Sequence, residues 1–214
     1  RGTTRTTSWG TTLSTLVVSN TSPVLNLALI GHLDLLRQQF GAVTIPRAVL
    51  EELRLEDALP GNKAIVTEKK GFLYLVDNGK LAPRPMIGAP LADAASQAGF
   101  FDVVPHPDYA KNGWLYLAYS DPQKRDGQPV SLTRIVRGKI KDNAFIEQET
   151  IFQAPVESYP KAGGVHFGGR LVFDGKGYLF FTIGERGNPA NGQNLAVPMG
   201  KVHRIHDDGR VPED

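Results

Sequence analysis

His166 stands among glycines, in the stretch Gly163-Gly164-Val165-His166-Phe167-Gly168-Gly169-Arg170, directly before a strand-like run. Glycine on both sides lets a ligand or another stretch of backbone come close, and an imidazole so placed can take a proton near neutral pH. A histidine in a flexible turn is the plainer alternative. Glu185 and Arg186 follow Gly184 at the far end of the same run. If residues 170–183 form a hairpin, its end returns to its beginning and His166 and Glu185 flank one pocket at the same rim. An exposed loop ion pair is the alternative there.

The other candidates are weaker. His203 and His206 lie three apart on a strand-like run, which puts them on opposite faces and argues against a shared metal. His106, wedged between Pro105 and Pro107, is expected to shape a turn. Asp207-Asp208-Gly209 offers oxygen ligands for calcium but lacks the later ligands of a calcium loop, so a turn is the better reading. Near the N-terminus, Asn20 at a strand end and Glu52 beside Glu51 on a helix supply part of a magnesium-dependent nuclease site. Such sites gather several carboxylates around the metal. With an amide in the first position and one pair of acids, a solvated acidic helix face is expected instead.

Two textures carry these residues. Up to about residue 57 the apolar spacing is helical: Ser22-Pro23 starts one helix, Leu33 to Phe40 fits a second, and Pro46 opens a third bearing Val49, Leu50 and Leu53. With strands at Leu16-Val17-Val18 and Ala42–Ile45, the order is β-α-α-β-α, the start of a parallel α/β sheet. Beyond residue 58 the helical period disappears. Short β-rich runs follow at 64–66, 72–76, 101–104, 115–119, 130–136, 149–152, 170–173, 178–183 and 201–205. Asn78-Gly79, Asn112-Gly113, Asp126-Gly127 and Asp208-Gly209 read as tight turns, and Asp174-Gly175-Lys176-Gly177 as the clearest hairpin loop. A phrase of glycine, aromatic and aliphatic residues recurs at Gly71-Phe72-Leu73-Tyr74, Gly113-Trp114-Leu115-Tyr116 and Gly177-Tyr178-Leu179-Phe180. Recurrence of this kind is what a blade-by-blade propeller leaves in a sequence.

Composition narrows the function classes. The 214 residues carry 24 Lys and Arg against 22 Asp and Glu, so no strong field favours nucleic acid or an anionic membrane, and no nucleic-acid partner is expected. There is no cysteine, hence no disulfide, thiolate metal site or cysteine nucleophile, and redox chemistry needs a borrowed cofactor. No run approaches the ~18 apolar residues of a membrane span. Arg1 to Thr15 reads as a disordered polar leader without the apolar middle of a signal peptide. The start at Arg1 and the end at Asp214, soon after a turn, are those expected of a fragment.

The motifs His166-Phe167-Gly168-Gly169-Arg170-Leu171, Thr182-Ile183-Gly184-Glu185-Arg186-Gly187 and Met199-Gly200-Lys201-Val202-His203-Arg204-Ile205, followed by Asp208-Gly209, resemble the glucose/sorbosone dehydrogenase family. These are aldose sugar dehydrogenases that use pyrroloquinoline quinone. Upstream, Leu59-Pro60, Val66-Thr67-Glu68-Lys69, Gln97-Ala98-Gly99-Phe100-Phe101-Asp102-Val103 and His106-Pro107-Asp108-Tyr109 extend the resemblance in order. It implies a mainly β fold, the first two to three blades of a six-bladed propeller over residues 58–214. It also implies that His166 is the general base on the anomeric hydroxyl while a hydride moves to the quinone. Gln97, Glu185 and Arg186 are carried over as groups facing sugar or quinone. Relatives that oxidise glucose have an acid directly before the histidine where this chain has Val165, which leaves the sugar open.

The family's calcium loop and its quinone-holding lysine and arginines fall, by the same resemblance, after Asp214. Pyrroloquinoline quinone and Ca2+ are therefore expected for the complete family member, and the chain alone is expected to bind neither tightly nor to turn over sugar. An external electron acceptor and a periplasmic or secreted location come with the resemblance. Residues 16–57, through Val17-Val18-Ser19-Asn20-Thr21-Ser22-Pro23, Leu33-Asp34-Leu35-Leu36 and Ile45–Leu53, resemble the start of a PIN-like nuclease domain, cut short before its later acids. A PIN-type ribonuclease remnant and a non-catalytic propeller module that binds a partner are the two alternative functions.

Overall fold

Runs of aromatic and β-branched residues too short for helices, punctuated by Gly, Asn and Asp, pair with their nearest neighbours in sequence. The computed structural model describes residues 59, 63–78, 80–161 and 164–213. Asn20, Glu52 and the expected β-α-α-β-α segment lie outside the described residues. Strands β1 (Lys63–Glu68), β2 (Phe72–Asp77) and β3 (Lys80–Leu81) form one antiparallel sheet. A second contains β4 (Phe100–Pro105), β5 (Leu115–Arg125), β6 (Gln128–Lys141) and β7 (Ala144–Phe152). The third contains β8 (Gly168–Phe173), β9 (Tyr178–Ile183) and β10 (Lys201–His206). In every sheet the strands lie in chain order.

Side chains on a strand alternate between faces, so a strand buried throughout must separate two cores. The first seven residues of β5 are all buried. Leu115, Leu117 and Tyr119 pack with Ile65, Leu73, Met86, Phe100 and Phe145. Tyr116 and Ala118, on the opposite face, join Leu132, Tyr159, Leu171, Leu179 and Phe181. The second sheet is thus stacked between the first and the third, and its strand β4 lies against both β1 and β8. The fold is mainly β, a partial propeller of successive blades. The repeated glycine-aromatic-leucine phrase opens the second strand of each sheet, with Leu73, Leu115 and Leu179 at most 1% exposed.

The turns depart from expectation in two places. Asp126 and Gly127 both take positive φ (52° and 75°), the backbone of a two-residue hairpin, as their types suggest. Asn112-Gly113, however, does not form a tight hairpin. It closes a one-turn helix, α1 (Tyr109–Asn112), with Gly113 at φ 70° as a left-handed cap whose N–H donates to the Tyr109 carbonyl. Asn-Gly suits either structure. The second departure is a hairpin at Asp142-Asn143 (φ 50° and 57°), which lengthens β6 and β7 well beyond the runs read at 130–136 and 149–152. Asp and Asn supply the left-handed pair there without a glycine. The loop after β8 is as expected: Asp174 Oδ1 accepts from the N–H of Lys176 at 2.7 Å and of Tyr178 at 3.1 Å.

A buried acid ties the second sheet to the loop that follows it. Asp121 is 3% exposed and accepts from Tyr159 Oη at 2.8 Å, Gln123 Nε2 at 3.0 Å and Gln153 Nε2 at 3.2 Å, with Arg134 Nη1 at 3.5 Å. Donors surround the charge and offset its desolvation. Because β5 belongs to both cores, Leu117→Ala is expected to lower unfolding free energy in urea by about 2–5 kcal/mol. A loss below about 1 kcal/mol would show that β5 is not the packed centre described.

Candidate functional site

Antiparallel pairing of β8 and β9 sets Gly168 opposite Ile183, so the residue before β8 and the residue after β9 emerge side by side. Two positions before β8 is His166 and two positions after β9 is Glu185. His166 Nδ1 and Glu185 Oε1 are hydrogen-bonded. Gln97, just ahead of β4, reaches the same point: its Oε1 accepts the His166 backbone N–H at 2.8 Å, and its own N–H donates to the Gly164 carbonyl at 2.9 Å. Three separated segments therefore converge on one histidine.

The glycines around His166 serve backbone contact. A Cβ on Gly184 would sit 1.9 Å from the His166 carbonyl oxygen, so only glycine allows the two strand ends to close up. A Cβ on Gly169 would meet the Phe101 ring at 2.6 Å, which links the start of β8 to β4. His166 itself takes φ 51°, and Ser96 and Arg186, each beside another residue of the cluster, take φ 53° and 63°. Left-handed backbone is costly for such residues and persists only where surrounding contacts hold it.

Glu185 accepts a second bond, from the Gly187 N–H at 3.2 Å, and its own carbonyl accepts from Asn191 Nδ2 at 2.9 Å. A carboxylate on Nδ1 selects the tautomer with its proton there, leaving the Nε2 lone pair available on a half-exposed ring. That arrangement can accept a proton from a hydroxyl. The His166 hydrogen bond holds the Glu185 carboxyl below its ordinary value near 4.5.

Arg186 is placed differently from its neighbours. Its side chain is inside, 4% exposed, with Nη1 donating to the Val165 carbonyl and Nη2 to the Ser131 carbonyl at 3.3 Å. Burial pulls the guanidinium down to about 10, against the favourable field of Asp93. Sequence reasoning missed Ser131 and Thr133, whose hydroxyls bond Asp93 Oδ2 and the Phe167 carbonyl, each at 2.8 Å. The signal available was the alternation Val130-Ser131-Leu132-Thr133, small hydroxyls inside a strand.

The other described histidines pack or pair within the fold. His203 stacks on Phe181 at 4.8 Å, and His206 lies against Tyr178 on the other face at 4.8 Å. His106 Nδ1 accepts from the Asp108 N–H at 2.9 Å, shaping its turn, while Nε2 pairs with Asp207 at 3.1 Å. Asp208 is paired with Arg210 in the turn after β10.

A quinone tricarboxylate with calcium needs fixed cations and an oxygen-rich metal site. Gln97, His166 and Glu185 supply neither. Among the described residues no group of three or more His, Asp or Glu could hold a metal. The donor set can accept a proton and does not fit the cofactor's cradle.

The Glu185 shift has a direct test. A depressed folded value means that the contact stabilises the fold above the ordinary carboxyl range and that this contribution is lost as pH falls through the lowered value. In His166→Ala, the Glu185 titration followed by carboxyl 13C NMR is expected to move up toward 4.5. An unmoved midpoint would contradict the contact.

The model of the family described as Glucose / Sorbosone dehydrogenase matches residues 51–214, and a PIN domain model matches residues 16–78. In the stretch shared by the two matches, Ile65 and Leu73 belong to the same core as Leu115 and Leu117. The aldose sugar dehydrogenase YliI of Escherichia coli (strain K12) is 37% identical over 158 residues, covering 73% of this chain and 41% of the relative. Quinoprotein glucose dehydrogenase B of Acinetobacter calcoaceticus is 26% identical over 196 residues, 78% of this chain and 40% of the relative. The apo-form soluble aldose sugar dehydrogenase of E. coli superposes with a TM-score of 0.65 at 37% identity, covering 73% of this chain and 44% of that one. The PQQ-bound aldose sugar dehydrogenase of Streptomyces coelicolor shares the fold, with a TM-score of 0.58 at 23% identity over 71% of this chain and 43% of that one. This chain spans about two-fifths of the length of these two curated relatives. No helix among the described residues is long and apolar enough to cross a membrane. A match running through every described strand, together with the site that those strands assemble, makes this chain a member of the glucose/sorbosone dehydrogenase family.

Proposed function

We propose that Gln97, His166 and Glu185 form the sugar-binding, proton-accepting side of an aldose-oxidising site. The observation that carries this reading is the hydrogen bond from His166 Nδ1 to Glu185, which leaves Nε2 as the base at an open rim. In oxidation of an aldose at C1, the anomeric O–H bond breaks with its electron pair kept on oxygen, and the proton goes to Nε2. The C1 hydrogen leaves with its pair to a two-electron acceptor, and a lactone results. Glu185 stabilises the imidazolium that forms, and Gln97 fixes the backbone of the base.

Pyrroloquinoline quinone with calcium is the acceptor expected for the family, and an exported location and an external electron acceptor belong to the same reading. The described donor set does not hold that cofactor, so the proposal covers the proton and the sugar alone. On the purified chain, titration with an aldose at high millimolar concentration is expected to shift the NMR signals of Gln97, His166 and Glu185 together. Signals that stay unmoved, or shifts centred elsewhere, would contradict the reading. In a dye-linked assay supplied with quinone and calcium the same chain is expected to show no turnover, and calcium-dependent aldose oxidation would overturn the poor fit of these residues to the cofactor.

A further inference from the structure

The two residues after Gly184 act on the same three-residue segment from different sides. Glu185 takes the imidazole of His166, while Arg186 grips the residues flanking it. Its Nη1 donates to the carbonyl of Val165, and its guanidinium carbon lies 3.4 Å from the ring centroid of Phe167. Nη2 reaches across to the Ser131 carbonyl at 3.3 Å, anchoring the segment to β6. Thr133 on the same strand donates to the Phe167 carbonyl at 2.8 Å. His166, between the two gripped residues, is the one at φ 51°. A left-handed histidine relaxes when its neighbours are free, and relaxation would rotate the ring away from Glu185.

We propose that Arg186 is a positioning residue for His166, its planar guanidinium clamping Val165 and Phe167 so that the strained turn presents Nδ1 to Glu185 and Nε2 to the rim. The geometry requires arginine in particular. A flat, forked cation can donate to two carbonyls in its plane while stacking on an aromatic face, and a lysine ammonium cannot do both. The side chain is enclosed, so it acts through the histidine. This proposal rests on His166 being the base, but its test needs neither sugar nor acceptor, so either reading can fail without the other.

The test is the Glu185 carboxyl titration in the 214-residue chain, measured for R186K, R186M, H166A and the double variant H166A/R186K. R186K keeps the positive charge, which separates positioning from a simple field effect. The expected result is that R186K and R186M raise the Glu185 midpoint toward its value in H166A. The double variant should rise no further than H166A, and amide protection of Leu117 and Phe181 should stay native. An unmoved midpoint in R186K, or an additional rise in the double variant, would overturn the proposal. So would loss of core amide protection in both arginine variants, because Arg186 would then hold the sheets and not the turn.

Discussion

Everything at the site depends on how closely two strand ends can approach. The pairing of β8 with β9 places Gly168 opposite Ile183, and just beyond that pair the chain meets itself at Gly184 and the His166 carbonyl. No side chain fits in that gap. Closing it commits residue 166 to one side of the seam and residue 185 to the other, at hydrogen-bonding distance. His166 and Arg186, on the two sides of that approach, take left-handed backbone.

Packing between the sheets keeps the seam in place. Phe101 of β4 lies 5.2 Å from Phe167, filling the space left by Gly169, so the second sheet supports the first residues of the third. Gln97 arrives at the histidine because it precedes that same β4. Radially stacked blades bring their innermost strands together, and the loops at one end of those strands then share a rim. Site and fold are thus coupled through β4 and β8, with β6 joining them through Ser131 and Thr133.

Much of this was legible in the sequence where the physics is local. The Asp174–Gly177 loop announced the hairpin, the hairpin predicted that His166 and Glu185 would meet, and the repeated glycine-aromatic-leucine phrase marked the second strand of each sheet. What was not legible depends on distant contacts. Nothing local says that Arg186 turns inward, because its partners Ser131 and Val165 come from other segments. Asp142-Asn143 hid a hairpin because Asp and Asn can adopt left-handed backbone without glycine's warning. Asn112-Gly113 misled because a helix cap and a hairpin ask for the same residues. Gln97 was found through family resemblance, since a lone glutamine carries no chemical signal.

The chemistry reduces to which imidazole nitrogen carries the proton. With Nδ1–H committed to Glu185, Nε2 is the atom able to take a proton from a hydroxyl; with the proton on Nε2, the imidazole offers no base at the rim. Long-range 1H–15N NMR of His166 in the unmodified chain, with the ring neutral, reads this directly. A protonated Nδ1 with an unprotonated Nε2 is predicted, and a proton found on Nε2 would contradict the assignment of His166 as the base.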